Sequence, residues 1–248
     1  MRHQIADRPL PTGPLTRAAP NRAFVTVHDT AQHLPRHRHE RAYAALILRG
    51  GYVEAGDHGR ARVSAGDVVI HGAYEAHRNH FPAGGALVLN LPLGAHSLDP
   101  GAWEVNDVDT IARLAKRDCL IAADELKAQQ RRAVSRETDW PDLLALALSQ
   151  DPGLAIEEWA LGMRLAAPSV SRGFQRVYGI TPKRFRAEQR ALQAIRALPA
   201  WKGTLASLAA TMGFADQAHF SRAVTAFTGM SPRAWRVKSV QEADRNTR

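Results

Sequence analysis

Cysteine is almost missing from this sequence: Cys119 stands alone among 248 residues. That excludes an internal disulfide framework and any cysteine-based zinc cluster, and it suits a reducing compartment. No apolar run reaches the ~18 residues that a membrane span needs. The opening residues, Met1 to Arg8, include basic side chains but no apolar segment, so no secretory leader and a cytoplasmic location are expected. Apolar residues at 45% and charged residues at 23% are ordinary globular usage, which argues against wholesale disorder and against a coiled coil. The length is more than one compact domain usually needs and comfortable for two.

Acidic residues are scarce in one half only. Residues 1–151 hold 18 Lys/Arg and 18 Asp/Glu, whereas residues 152–248 hold 15 Lys/Arg and 6 Asp/Glu, so the whole formal charge of +9 sits in the rear. Histidine divides the other way: ten of eleven lie before residue 97, and His219 is the exception. A neutral, His-rich front and a basic rear predict two domains with different partners. A basic domain attracts polyanions by counterion release, and double-stranded DNA is the default candidate.

Four stretches follow. Residues 1–22, with Pro9, Pro11, Pro14 and Pro20, read as a loosely docked arm. Residues 23–95 read as short strands punctuated by turns: 24–27, 43–48, a tight reversal at Gly50-Gly51 into 52–54, then 68–70 and 86–89. Such strands with glycine-rich turns predict a small antiparallel β-barrel. Residues 96–151 read as a helical connector. Its stripe runs through Ile111, Leu114, Ala115, Leu120, Ala123 and Leu126 toward the polar run Gln129 to Arg132, and a second helix opens at Trp140-Pro141-Asp142. The connector either pairs with itself in a homodimer, the reading slightly favoured, or packs on the barrel. Residues 152–248 are all-α, which makes the fold class α+β.

The rear contains a duplication. Ile156, Trp159, Ala160 and Met163 fall on one helical face, and Leu205, Leu208, Ala209 and Met212 repeat that face 49 positions later. Met163 and Phe214 are expected in the core. Each copy continues through a short turn into a second helix, and the copies close alike, on Gly179-Ile-Thr-Pro182 and Gly229-Met-Ser-Pro232. Helix, tight turn and helix with a basic outer face is the helix-turn-helix plan, in which the second helix enters a major groove. The outer faces offer Ser169, Arg172, Gln175 and Arg176 in the first copy, and Gln217, Ala218, Ser221, Arg222 and Thr225 in the second. Asp216 is placed to cap the second recognition helix. Residues 182–198 read as one basic rod between two readers, which should address groove segments about one helical turn apart. Gly173 lowers the helix propensity of the first recognition helix by roughly 1 kcal/mol relative to Ala, so that helix is expected to be softer.

At this point the residues resemble a family. Gly213-Phe214-Ala-Asp216-Gln217-Ala-His219-Phe220-Ser221-Arg222, continuing through Phe227 to Gly229-Met-Ser231-Pro232-Arg-Ala-Trp235-Arg236, is similar to the signature of AraC/XylS-type transcriptional regulators, over about 153–238. Val224, Thr225 and Gly173 depart from the usual pattern. The resemblance implies a bihelical DNA-binding module behind an N-terminal sensing domain, with RNA polymerase as a further partner.

The front resembles the two motifs of a cupin barrel, through His37-Arg38-His39, Gly50, and Gly66-Asp67 to His71 and His77. In metal-binding cupins three histidines and a glutamate converge. His37, His39 and His77 match the histidines, but the glutamate position falls on Tyr43 or Ala44, and no other residue is seen to supply a carboxylate. His58 and His71 are read as ordinary surface or turn residues. A structural or effector-contacting cluster of His37, His39, Tyr43, Tyr52 and His77 is therefore the expectation, with a divalent metal on the three histidines as the alternative and no other cofactor. The resulting function is a non-enzymatic DNA-binding transcription regulator with a small-molecule effector. The rival reading is a metal-dependent cupin oxygenase or isomerase with an accessory basic domain.

Overall fold

A computed structural model of the chain describes residues 15–16, 22–94, 96 and 98–246. The arm expected at 1–22 lies almost wholly outside them. Two compact units emerge, Pro14–Arg186 and Ala187–Arg248.

The first unit is built on strands β1 (Leu15–Thr16), β2 (Phe24–His28), β3 (His33–His39), β4 (Tyr43–Gly56), β5 (Gly59–Ser64), β6 (Asp67–His71), β7 (Ala76–His80), β8 (Ala86–Pro92), β9 (Gly101–Val105) and β10 (Gln130–Ala133). Every pairing except the two-residue β1 on β3 is antiparallel. β1, β3, β7, the second half of β4 and β5 make one sheet. β2, β8, the first half of β4, β6, β9 and β10 make the other.

β4 belongs to both sheets, and this corrects the reversal expected at Gly50-Gly51. The strand passes through the pair and changes sheet there, a corner of the kind that lets two sheets share a strand. Gly50 sits at φ +73°, and a side chain on it would run into the carbonyl oxygen of Gly85. Gly51 lies equally close to the carbonyl of Val63. Close approach of backbones demands glycine here as a reversal would, so the same two letters served two geometries.

Strand alternation sorts the side chains into three cores. Ala45, Ile47, Tyr52, Val63, Val69, Phe81 and Val88 pack between the sheets. Ala44, Leu46, Val68, Ile70, Leu89 and Leu91 face outward from the second sheet and meet helices α1 (Val108–Ala115) and α2 (Cys119–Gln129) through Ile111, Ala115, Ala122 and Leu126. Each buried Leu, Ile or Val among them contributes roughly 1.5–3 kcal/mol. These helices therefore pack on the barrel, while Leu120, expected in the stripe, stays 53% exposed. The polar run after them is not helical: Gln130–Ala133 is β10, paired with β9.

The outer face of the first sheet carries the third core. Ala55 on β4 meets α3 (Trp140–Gln150), α4 (Ile156–Gly162) and α5 (Ala167–Tyr178) through Leu144, Leu148, Ala160, Val170, Phe174 and Tyr178, and Phe185 at the start of α6 (Pro182–Ala197) joins them. α6 carries the chain into the second unit, where α7 (Leu205–Thr211), α8 (Gln217–Thr228) and α9 (Pro232–Asn246) follow. There Leu208, Ala209, Phe214, Phe220, Val224 and Phe227 are buried, and the Trp235 indole N–H donates to the Ile195 carbonyl at 3.0 Å, tying α9 to α6. None of the described helices is long and apolar enough to cross a membrane.

Gly173 has a packing role. A Cβ there would strike the Trp140 ring, so α5 lies closer to α3 than any other residue would allow. Gly173→Ala is expected to destabilise the first unit by about 1–3 kcal/mol through overpacking, more than offsetting the gain in helix propensity. The loss should shrink in a Trp140→Ala background, as read by denaturant unfolding.

Candidate functional site

Two features carry chemistry: the paired helices of the rear and the histidine-lined interior of the barrel. In the first copy Val170, Phe174 and Tyr178 are buried on one side of α5, and Ser169, Arg172, Gln175 and Arg176 are exposed on the other. In the second copy Phe220, Val224 and Phe227 are buried, while Gln217, Ala218, Arg222 and Thr225 are exposed and Ser221 is half-buried. All nine candidate DNA-contacting residues thus lie on the sides away from the cores.

The two copies solve the same local problems differently. Both helices end on a glycine at φ +77°, Gly179 and Gly229. The turn before each also needs a left-handed residue. Gly213 supplies it at φ +71°, but its counterpart 49 positions earlier is Arg164 at φ +56°, at a cost of order 1 kcal/mol. Met163 is correspondingly not in the core: it ends α4 and remains 39% exposed, whereas Phe214 is buried as expected. At the N-termini, the Asp216 carboxylate accepts from the His219 backbone N–H at 2.6 Å, while α5 opens on Pro168 without a side-chain cap.

α5 draws its support from the front. The Tyr178 hydroxyl donates to Asp142 at 2.9 Å, and Arg60 donates to both Asp142, at 2.9 Å, and Asp139, at 2.8 Å. Arg78 of β7 donates to the Arg176 carbonyl at 3.0 Å, near the C-terminal end of α5, where a cation also suits the helix dipole. Arg36 of β3 lies over the Phe185 ring and is ion-paired with Asp57.

Inside the barrel, His37, His39, Tyr43, Tyr52 and His77 line one cavity of about 230 Å³, together with Phe24, Phe81, Asn79 and Asn90. His37 and His77 face each other directly across β3 and β7. The His37 Nδ1 lies 2.8 Å from the Pro35 carbonyl and donates to it, leaving Nε2 as a lone pair. Burial lowers the pKa of His37, of His39 to about 4, and of His77 well below its usual range, so these rings are neutral at physiological pH. Burial likewise keeps Tyr43 and Tyr52 protonated. The ligand nitrogens of His37, His39 and His77 lie within 4.8 Å of one another, which fits a metal ion. His80 does not join them: it is exposed and stacks on His33 with centroids 4.2 Å apart.

Two functional residues were not identified from the sequence. His71, taken for a surface or turn residue, is 5% exposed and lines the cavity, stacked on His77 at 4.2 Å. His58 stands, as expected, in the turn between β4 and β5, partly exposed and 2.8 Å from Glu75. The missing carboxylate is Glu54, on β4 beyond the corner, 3.5 Å from His71 and bonded by Asn79 at 3.2 Å. Burial raises its pKa to about 8. The signal for it was alternation: Glu54 is two residues after Tyr52 on the same strand, hence on the same inward face.

No curated protein matches the sequence. Residues 159–238 match a family described as a helix-turn-helix domain. Among solved structures, unsaturated fatty acid-bound ToxT from Vibrio cholerae is 11% identical, with 89% of this chain and 96% of that one covered and a TM-score of 0.40. The C-terminal domain of AraT, a response regulator from Geobacillus stearothermophilus, is 20% identical over 42% of this chain and 88% of that one, with a TM-score of 0.39. A probable AraC family transcriptional regulator from Rhodopseudomonas palustris is 21% identical over 39% and 93%, with a TM-score of 0.36.

The Asp216 cap gives a pH signature. Its hydrogen bond from His219 lowers the carboxyl pKa below 3.8, so its contribution is present above that value and lost as the pH falls through the folded-state pKa. Asp216→Ala is expected to lower the melting temperature of the second unit at pH 7, with the difference shrinking as the pH falls below 3.8. Thermal unfolding followed at Trp201 and Trp235 across pH 2–8 measures it.

Proposed function

We propose that the chain is a sequence-specific, DNA-binding transcription regulator of AraC type, with its two helix-turn-helix units as readers and its barrel as the seat of a small effector. One observation carries the reading: the helix-turn-helix match at 159–238 falls inside the stretch that holds all of the net charge, and both outer faces there are exposed. Phosphate contacts come from the basic side chains and from the helix N-termini, while Arg172, Arg222, Gln175 and Gln217 are of the types that read base edges bidentately. RNA polymerase and a second copy of the chain are the proposed protein partners, and the cytoplasm the proposed location. The protein acts without catalysis.

The barrel fits a sensor. A cavity of about 230 Å³ with neutral polar groups and aromatic walls suits a small effector that His37, His39, Tyr43, Tyr52 and His77 orient. Glu54 provides the carboxylate whose apparent absence counted against a metal-dependent enzyme, so the regulator reading rests on the tail and not on a defect in the barrel. Occupancy reaches the first reader along β3 and β7: His37 and His77 face the cavity, while their chain neighbours Arg36 and Arg78 hold Phe185 and the end of α5. A ligand that favours one setting of these strands thereby biases α5.

A duplex selected from a random pool by the full chain supplies the test. Arg172→Ala and Arg222→Ala are each expected to weaken binding to it by about 1–3 kcal/mol, measured by fluorescence anisotropy, and to relax preference at the base pair that each reads. Unchanged affinity in both variants would remove α5 and α8 from the interface.

A further inference from the structure

We propose that the barrel binds a divalent transition-metal ion on Glu54, His71 and His77, a set distinct from the three histidines to which the cupin resemblance points. Three strands supply it, β4, β6 and β7, and the candidate ligand atoms lie within 4.8 Å of one another. All three residues are more than nine-tenths buried, at 7%, 5% and 3% exposure. Two imidazoles and a carboxylate are a donor set for zinc, iron or cobalt, with positions left for further ligands.

Buried polar atoms without partners point the same way. The Nδ1 of His77 finds no hydrogen-bond partner among the described residues, and the Nε2 of His71 makes no hydrogen bond but faces the Glu54 carboxylate at 3.5 Å, an arrangement that an ion between them completes. The other His77 nitrogen sits 3.3 Å from the Tyr43 hydroxyl, and in the tautomer whose Nε2 donates to that hydroxyl, Nδ1 is a lone pair. Glu54 accepts from the Asn79 amide at 3.2 Å, a bond that orients the carboxylate. One ion bound between the imidazoles and the carboxylate gives these buried groups a common partner.

Charge decides between this set and the other. Three neutral imidazoles would leave both positive charges of a divalent ion uncompensated inside the barrel, which is costly in a medium of low dielectric. Glu54 cancels one of them, and Asp57 and Glu75 line the same recess as Glu54, His71 and His77. His37 and His39 are only half-buried on the cavity wall, where an effector meets them. The two sets share His77, so occupancy of the metal site and the contacts of an effector are linked through one ring.

The inference is independent of DNA binding and is tested on the full chain with Zn2+ and Co2+ alone. Equilibrium dialysis at pH 7.5 is expected to find about one ion per chain, and Co2+ to show a visible spectrum of a site with nitrogen and oxygen donors. Glu54→Gln and His71→Gln should each weaken binding about tenfold or more, while His37→Ala stays within about twofold. Glu54→Gln replaces a carboxyl by its neutral isostere, so it keeps the test open should His71→Gln fold poorly. Absence of a bound ion in the wild type, undiminished binding in Glu54→Gln, or a loss in His37→Ala as large as in Glu54→Gln would each overturn the assignment.

Discussion

On β3 and β7 consecutive residues point to opposite faces of one sheet, and each face serves a different element. His37 and His77 pair directly across the two strands on the inner face, in the wall of the cavity. Arg36 and Arg78, one step along the chain, emerge on the outer face, where one lies over Phe185 and the other bonds the carbonyl of Arg176. The first sheet is thus a single partition between the histidine-lined cavity and the first helix-turn-helix unit. A strand cannot rotate a histidine inward or outward without rotating the arginine beside it. The outer core of Ala55, Phe174, Tyr178 and Phe185 depends on the same backbone.

The duplicated readers consequently differ in what holds them. α8 carries its own support, with an aspartate cap, a glycine in the preceding turn and a core of Phe214, Phe220, Val224 and Phe227. α5 has no side-chain cap, an arginine in the left-handed turn position, and a glycine where Trp140 leaves no room for a side chain. Its stability is borrowed from α3 and from the sheet, through Asp142, Arg60 and Arg78. The first helix pair is thus held by the sheet and α3, and the second by its own cap, turn and core.

Much of this was legible in the letters, and what was not has physical reasons. The repeat, the closing glycines, the Asp216 cap and both outer faces could be read because helical periodicity is local and occurs twice in the same order. The three histidines could be placed on one wall because residues i and i+2 of a strand share a face. The fate of Gly50 and Gly51 could not, since a corner and a reversal both call for glycine and only the partners of the strand tell them apart. His71 was missed because it reaches the cavity on β6, far in sequence from His37 and His39, and such convergence leaves no spacing to detect, whereas Glu54 was marked by its alternation with Tyr52 on β4. Gly173 read as a weakness of α5; its reason, the ring of Trp140, lies 33 positions away and on another helix. Leu120 fell on the helical stripe and still stayed outside, because periodicity marks an apolar face without saying how much of it is covered.

Native-state hydrogen exchange on the full chain tests most directly whether one sheet holds the cavity and the first reader together. Backbone amides of α5 should open with the same free energy as those of β3 and β7, and Arg78→Ala should lower protection in α5 while leaving α8 unchanged. Protection of α5 that follows α8, and ignores both the sheet and the loss of Arg78, would contradict the account.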